Sequence, residues 1–235
     1  MTNVLVVYKK NFESIHDDSL EHLKSCLEDA KSNHQLRVEI RARERVRRAD
    51  FIGRDLVIVL GGDGTLTSIS HNIDESTPVM GVNSHPKVED PTGSVGFYMD
   101  STLDTFSQDL ERALTGKAIV NNLPRLRAII DSTSGNRYTT DPAMNELLIA
   151  NTHQYAPSKY HLRRGEQNTD QQSSGLIFST WLGQGAWFSH SLDPTSLAEI
   201  REVVNLGEED THYFVLARDL DHQIRVDKNG LGWIG

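Results

Sequence analysis

The chain has 235 residues, of which 37% are hydrophobic, and a formal net charge of −9 at pH 7. This length and composition suit one large or two small folded domains and exclude a wholly disordered chain. The acidic balance argues against a general binder of nucleic acid or membrane surfaces, and the single cysteine excludes an internal disulfide. No apolar run approaches the ~20 residues of a membrane span, and no signal peptide is recognisable, so we expect a soluble cytoplasmic protein.

The first half of the chain alternates strand-like and helix-like segments. Continuous apolar runs predict buried strands, and apolar residues spaced three and four apart predict amphipathic helices. The predicted elements are strand 4–8, helix 19–31, strand 36–40, strand 56–60, helix 66–73, strand 78–82 and helix 103–114. This alternation predicts an α/β domain with a mostly parallel sheet over residues 1–118.

The second half of the chain has a different character, because short strand-like runs separated by polar turns begin after Asn121. They predict a β-rich, sandwich-like domain over residues 119–235, whose tail could pack back on the first domain. The predicted elements are strands 123–130, 145–150, 160–164, 176–180, 213–217 and 224–226, and a short helix that begins at Asp193-Pro194.

The glycine turn Gly61-Gly62-Asp63-Gly64-Thr65 follows strand 56–60 directly. Glycine lets a ligand approach the main chain closely, and the free N–H groups of such a turn can face an anion. A carboxylate repels phosphate, so Asp63 indicates a proton acceptor or a metal contact. Ligands of doubly wound sheets bind beyond the carboxyl ends of the strands, where Asp63 and Asn83 both fall. The turn therefore favours phosphoryl transfer over its alternative, a glycine-rich junction with an exposed aspartate.

A basic run lies between the second and third predicted strands. It contains Arg41, Arg43, Arg45, Arg47 and Arg48. A solvated protein face is the favoured interpretation. The alternative is that guanidinium groups of this run help to hold a polyphosphate donor, because their geometry suits phosphate.

Four motifs in order resemble the NAD kinase family, over roughly residues 1–190. The motifs are Gly61–Leu66 with His71, Pro78–Asn83 with Gly96-Phe97, Met144-Asn145-Glu146, and Ser174–Thr180 with Gly183, Ala186 and Trp187. The glycine turn alone is shared with diacylglycerol and sphingosine kinases, whereas the four motifs in this order are much more specific. Three features resemble the mitochondrial-type branch: the long loop between Asn83 and Gly96, Ser173-Ser174-Gly175, and Trp187.

The resemblance implies transfer of a phosphoryl group to the 2′-hydroxyl of the adenosine ribose of NAD. The donor would be ATP with Mg²⁺ or another divalent metal, or inorganic polyphosphate. Asp63 would be the general base, a role that typically contributes ~10²–10⁴-fold to the rate. The implied contacts to nucleotide and phosphate are Gly61, Gly62, Gly64, Thr65, Asn83, Phe97, Asn145, Glu146 and Thr180. Phe97 would flank the adenine, with an equal alternative as a core residue.

No set of protein metal ligands is predicted, and we expect a homodimer or larger homo-oligomer with neither nucleic acid nor membrane as a partner. Two departures from the family pattern keep other functions open. Trp181–Gly185 stands where the family usually has smaller, hydroxyl-rich residues, and Val226–Gly230 matches the family's late Asp-Gly turn only faintly. The alternatives are a lipid or sphingoid-base kinase of the same superfamily and a non-catalytic dinucleotide-binding homologue.

Overall fold

A computed structural model describes residues 1–10, 15–153, 155–164, 166–180, 182–192, 213–218, 224–226 and 232–234. The chain divides into two compact units, Met1–Asn122 and Leu123–Gly235. The predicted domain limits, 1–118 and 119–235, stay a prediction. The helix predicted to begin at Asp193-Pro194 lies outside the described residues.

The first unit is built on a five-stranded sheet with helices in its connections. Its strands are β1 (Thr2–Tyr8), β2 (Leu36–Ala42), β3 (Leu56–Gly61), β4 (Val79–Asn83) and β5 (Ser101–Thr102). Its helices are α1 (Ile15–Lys31), α2 (Arg48–Phe51), α3 (Asp63–Ser70) and α4 (Phe106–Leu114), and a 3-10 turn, Arg43–Arg45, follows β2. The strand order is β2-β1-β3-β4-β5, and every neighbouring pair is parallel.

The centre of the sheet lies in the interior because β1 and β3 are apolar on both faces. All six residues of β3 are buried, and on one face Val4 and Ile58 pack with Leu23 of α1 and Phe106 of α4. Full burial of one such side chain stabilises a fold by roughly 1.5–3 kcal/mol. This cluster therefore holds the strands in place and, with them, the loops at their ends.

The parallel register brings the carboxyl ends of four strands to one edge of the sheet. Tyr8 of β1 is in register with both Ala42 of β2 and Leu60 of β3. Gly61 of β3 is in register with Asn83 of β4. The segments that leave β2, β1, β3 and β4 therefore start side by side, which is where ligands bind in sheets of this kind.

The second unit consists of small antiparallel sheets. The three-stranded sheet has the order β12-β11-β8, from β8 (Glu146–Ile149), β11 (Gly175–Thr180) and β12 (Tyr213–Arg218). The two-stranded sheets pair β6 (Ile129–Asp131) with β7 (Arg137–Thr139), β9 (Ser158–Arg164) with β10 (Gln167–Ser173), and β13 (Ile224–Val226) with β14 (Gly232–Ile234). A 3-10 turn, Leu182–Gly185, leads to the short helix α5 (Trp187–His190). The predicted fold class, an α/β domain followed by a β-rich one, is confirmed.

Three of the differences between the predicted and the observed elements have a clear physical cause. Only the end of the predicted strand 123–130 is a strand, because Pro124 within it cannot donate to a ladder. The strand β10 was not predicted, since its polar sequence has little strand propensity and its pairing with β9 overrides this preference. Helix α3 begins at Asp63 rather than at Leu66, which places the carboxylate in the first helical turn, where negative charge is favourable.

No helix in the described part of the chain is long and apolar enough to cross a membrane.

Candidate active site

Two glycines of the turn are required by close packing. A Cβ on Gly61, whose φ is +157°, would overlap the side chain of Thr65. A Cβ on Gly62 would lie 2.6 Å from the Cβ of Ser94. Gly64 differs, because it is exposed and no protein atom lies near its Cβ position. The turn is therefore packed between Thr65 and Ser94, while the main chain at Gly64 is open to solvent.

The Asp63 carboxylate is held by the loop that follows β4. Its Oδ2 accepts hydrogen bonds from the Ser94 hydroxyl at 3.1 Å and from the Gly96 amide at 3.0 Å. Its Oδ1 accepts one from the Tyr98 amide at 2.9 Å. A carboxylate offers about four lone-pair positions, two on each oxygen. These contacts therefore leave Oδ1 able to accept one further hydrogen bond.

A pocket of about 280 Å³ opens beside the glycine turn. Its lining comprises Lys9, Arg43, Gly62–Thr65, Ser84, His85 and Thr92–Ser94. The amide of Lys9 donates to the carbonyl of Leu60, and that of Ser84 donates to the carbonyl of Gly61, both at 3.1 Å. These two bonds fix the segments after β1 and β4 on either side of the turn. Two cations beside the N-terminus of α3 make the pocket suitable for an anion such as phosphate.

Asn83 and Phe97 occupy different environments. Asn83 is 4% exposed, and its side-chain amide donates to the Ser94 carbonyl and accepts from the His85 amide, both at 3.2 Å. It therefore fastens the two ends of the loop after β4. Phe97 is 56% exposed and contacts Tyr98 edge to face. The alternative that Phe97 is a core residue is wrong.

Three predicted ligand residues come together in the second unit. Thr180 is 2% exposed, and its hydroxyl donates to the Met144 carbonyl and accepts from the Gly183 amide. Its own amide donates to the carbonyl of Asn145 at 2.9 Å. The hydroxyl of Thr180 is thus engaged within the protein, where it holds the start of β8 beside the turn that follows β11.

Glu146, the first residue of β8, has its carboxylate at the N-terminus of helix α5. Its Oε1 accepts a hydrogen bond from the Phe188 amide at 3.0 Å. Burial raises the pKa of Glu146 above its usual value, although the amides of Phe188 and Trp187 and the charge of His190 oppose that rise. Burial acts in this direction because it disfavours the charged form of a carboxyl group. Glu146 therefore keeps its proton more readily than an exposed glutamate does.

The described side chains offer little to a metal by themselves. Among these residues there is no group of three or more histidine, cysteine, aspartate or glutamate side chains arranged around a common point. Asp63 is the only carboxylate that the described residues contribute to the 280 Å³ pocket. Mg²⁺ is commonly bound through one or two carboxylates together with substrate phosphates. This pocket fits a metal that arrives with a nucleotide rather than one held by the protein alone.

The family of the first unit follows from its sequence. Residues 2–118 match the family model of the ATP-NAD kinase N-terminal domain. That match includes the whole parallel sheet, the glycine turn and the loop that holds Asp63. The chain belongs to the NAD kinase family. The predicted family is confirmed, whereas the mitochondrial-type branch stays a prediction.

Curated relatives in the NAD kinase family share about a third of the aligned residues. A probable NADH kinase of Oryza sativa subsp. japonica is 31% identical over 149 residues, which is 56% of this chain and 44% of the relative. The NAD kinase of Syntrophobacter fumaroxidans is 33% identical over 147 residues, 60% of this chain and 48% of the relative. This chain spans about half the length of the curated relatives it matches.

Two solved structures share the fold of this NAD kinase family member. An NAD kinase from Archaeoglobus fulgidus in complex with ATP has a TM-score of 0.64 at 16% identity, over 92% of this chain and 72% of its own. Yeast NADH kinase complexed with NADH has a TM-score of 0.68 at 14% identity, over 93% of this chain and 62% of its own. At these identities the likeness concerns the fold alone.

Several residues of the pocket were not predicted from the sequence, among them Ser94 and Lys9. Ser94 contacts Asp63 across 31 positions of the chain, and no local pattern indicates such a contact. Lys9 could have been predicted from the sequence, because it directly follows the apolar strand β1 and therefore lies at the same sheet edge as the glycine turn.

Proposed function

We propose that this chain is an NAD kinase, which transfers a phosphoryl group from ATP or inorganic polyphosphate to the 2′-hydroxyl of the adenosine ribose of NAD. The observation that carries the proposal is the Asp63 carboxylate in a cation-lined pocket of a NAD kinase family domain. Two solved relatives, one in complex with ATP and one with NADH, support these two classes of substrate.

Asp63 would act as the general base at its Oδ1 atom. The Tyr98 amide orients this oxygen, which can accept one further hydrogen bond. A carboxylate is a weak base for a sugar hydroxyl, so the proton would move late, as the bond between the ribose oxygen and phosphorus forms. The amides of Gly62 and Gly64 would contact phosphate oxygens, so that positioning and charge neutralisation supply the rest of the rate enhancement. Gly61 is buried outside the pocket lining and Thr65 is 2% exposed, so these two predicted contacts would support the turn instead.

The predicted nucleotide contacts divide into direct and supporting roles. Asn145 and Glu146 would hydrogen-bond ribose hydroxyls, since an amide and a carboxyl group suit vicinal hydroxyls. Phe97, with its exposed ring, would flank the adenine. Asn83 and Thr180 are buried with their side chains engaged, so they would support the site through the loop and turn that they hold.

Mg²⁺ would enter with ATP as part of the substrate, neutralising phosphate charge. The residues that would face this complex are Asp63 and the amides of the glycine turn. Bound in that way, the metal needs no ligand cluster in the protein.

The mitochondrial-type branch is part of the proposal. Its support is the long loop between Asn83 and Gly96, together with two plant relatives that are named as NADH kinases. We therefore expect NADH as well as NAD⁺ to be an acceptor. A homodimer or larger homo-oligomer is also proposed, and light scattering on the purified chain measures it.

The test is formation of NADP⁺ or NADPH from NAD⁺ or NADH, with either Mg-ATP or polyphosphate as the donor. Product from at least one combination is expected. Phosphorylation of sphingosine or diacylglycerol without any NADP(H) would favour the lipid-kinase alternative. Calorimetric binding of NAD⁺ without turnover would favour a non-catalytic homologue.

A further inference from the structure

Two cations of the glycine-turn pocket are placed by the strand register. The pair Tyr8 and Ala42 is the last one between β1 and β2, so Lys9 and Arg43 are the next residues beyond these neighbouring strands. The Lys9 amide donates to the carbonyl of Leu60, one residue before the turn. Lys9 therefore lies between Arg43 on one side and the turn on the other, and both cations line the pocket.

Arg43 is the only member of the basic run in the lining of this pocket. Arg41 instead forms ion pairs with Glu39 and Asp50. Arg45 lines a separate pocket of about 410 Å³ at the ends of β1 and β2. The run is therefore divided between two places, and only Arg43 has a position that suits donor phosphates.

Arg43 has a counter-ion that an incoming phosphate could replace. Its Nε and Nη2 atoms donate to the same carboxylate oxygen of Glu44, at 3.2 and 3.0 Å. The Glu44 side chain is 48% exposed, and ion pairs in such settings are weak. A phosphate group carries more charge and presents oxygens that match the planar guanidinium group, so it is the stronger partner.

We propose that Lys9 and Arg43 bind the phosphates of the phosphoryl donor, and that the donor displaces Glu44 from Arg43. This inference rests on the proposed kinase function and assigns residues to its donor side. During transfer the bond from the terminal phosphorus to the donor's bridging oxygen breaks, and that oxygen keeps the electron pair. The new bond forms to the ribose oxygen, whose proton passes to Asp63. The two cations neutralise the negative charge that develops on the departing phosphate.

The direct test is calorimetric binding of inorganic tripolyphosphate to purified variants of the full chain. Lys9→Gln and Arg43→Gln should each weaken binding about 10-fold or more, the effect of losing a charged hydrogen bond. The affinity of Arg43→Lys for tripolyphosphate should lie between those of Arg43→Gln and the unaltered chain, because lysine keeps the charge but lacks the planar set of donors of the guanidinium group. Glu44→Gln should tighten binding by up to about five-fold, since a weak competing ion pair is removed.

The matched control is Arg45→Gln, which removes the same charge from the same run but outside the glycine-turn pocket. It should bind tripolyphosphate like the unaltered chain. Equal weakening by Arg43→Gln and Arg45→Gln, in variants with unchanged circular dichroism, would show a general charge effect and overturn the inference. So would unchanged binding in both Lys9→Gln and Arg43→Gln.

The kinase assay separates this inference from the proposed function. If NADP(H) forms, Arg43→Gln should raise the KM for ATP about 10-fold while the KM for NAD stays unchanged. An unchanged KM for ATP would overturn the donor assignment and leave the kinase function standing. If no NADP(H) forms but tripolyphosphate binding depends on Arg43, the kinase function fails and the anion-binding role of these two cations stands.

Discussion

Asp63 uses its two carboxylate oxygens for different purposes. Oδ2 accepts hydrogen bonds from the Ser94 hydroxyl and the Gly96 amide, and so ties the glycine turn to the loop after β4. Oδ1 accepts only the Tyr98 amide among the described contacts. One oxygen thus fixes the carboxylate, and the other remains able to meet a substrate hydroxyl. A base that is already oriented loses little entropy when its substrate binds.

Glu146 should make the stability of the second unit depend on pH. Its folded-state pKa is raised by burial, so the native state binds the proton more tightly than the unfolded chain does. The contribution of Glu146 is therefore fully present below its unfolded pKa and is lost as pH rises through the folded value. Glu146→Gln, which cannot ionise, should gain stability relative to the unaltered chain between about pH 4 and pH 7.

Tryptophan fluorescence during urea unfolding measures this effect, because Trp181, Trp187 and Trp233 all belong to the second unit. The difference in free energy of unfolding between Glu146→Gln and the unaltered chain is compared at about pH 4 and about pH 7. A difference that stays constant from acid to neutral pH would show that burial of Glu146 does not perturb its titration.

The chemistry of single residues could be predicted from the sequence where it depends on local pattern. Asp63 lies among three glycines directly after a buried strand, and that pattern alone indicates a carboxylate beside an anion site. Ser94 could not be found in this way, because its role depends on a contact 31 residues away. Arg43 could be separated from its four neighbours only when the register of β1 and β2 was known.

At the scale of elements, the close packing between the glycine turn and the loop after β4 keeps the pocket in shape. Gly62→Ala places a Cβ 2.6 Å from that of Ser94, which must then move away from Asp63. We expect a loss of about 1–3 kcal/mol in the stability of the first unit, as for overpacked sites elsewhere. Thermal unfolding followed by circular dichroism measures it.

Gly64→Ala is the stability control for Gly62→Ala, because no protein atom lies within 4 Å of its Cβ position. Alanine is also the better helix former, so we expect unchanged or slightly higher stability. If both variants lowered the melting temperature equally, the contact with Ser94 would not be the reason for glycine at position 62.

The elements that could be predicted from the sequence were those with strong periodicity. The apolar strands β1, β3 and β4 and the helix α1 lie close to their predicted positions. The polar strand β10 could not be predicted, since only its cross-strand partners in β9 favour an extended conformation. Helix α3 begins three residues before its predicted start, because glycine at position 64 has a low helix propensity and argued against a helix there.

At the scale of the whole molecule, we propose that the two units are domains joined between residues 118 and 119. The segment 115–123 is exposed throughout and contains no strand or helix. Limited trypsin digestion should therefore cut first after Lys117 and yield two fragments of similar size. In Lys117→Gln that cut should disappear while other sites are unaffected. An earlier cut within the parallel sheet would contradict this division.

The proposed function depends on Asp63 more than on any other residue, because Asp63 is the only carboxylate that the described residues contribute to the pocket. Asp63→Asn keeps the size of the side chain and one acceptor oxygen but removes the negative charge. The exposed Asp104 provides a matched control in the same unit, as Asp104→Asn. The two variants make the same chemical change, inside and outside the pocket.

The most direct measurement is the rate of NADP(H) formation by the unaltered chain, Asp63→Asn and Asp104→Asn under the same conditions. We expect the rate of Asp63→Asn to be lower by about 10²–10⁴-fold, with unchanged circular dichroism, and the rate of Asp104→Asn to equal that of the unaltered chain. Full activity in Asp63→Asn, or no NADP(H) from the folded unaltered chain with any donor, would contradict this prediction.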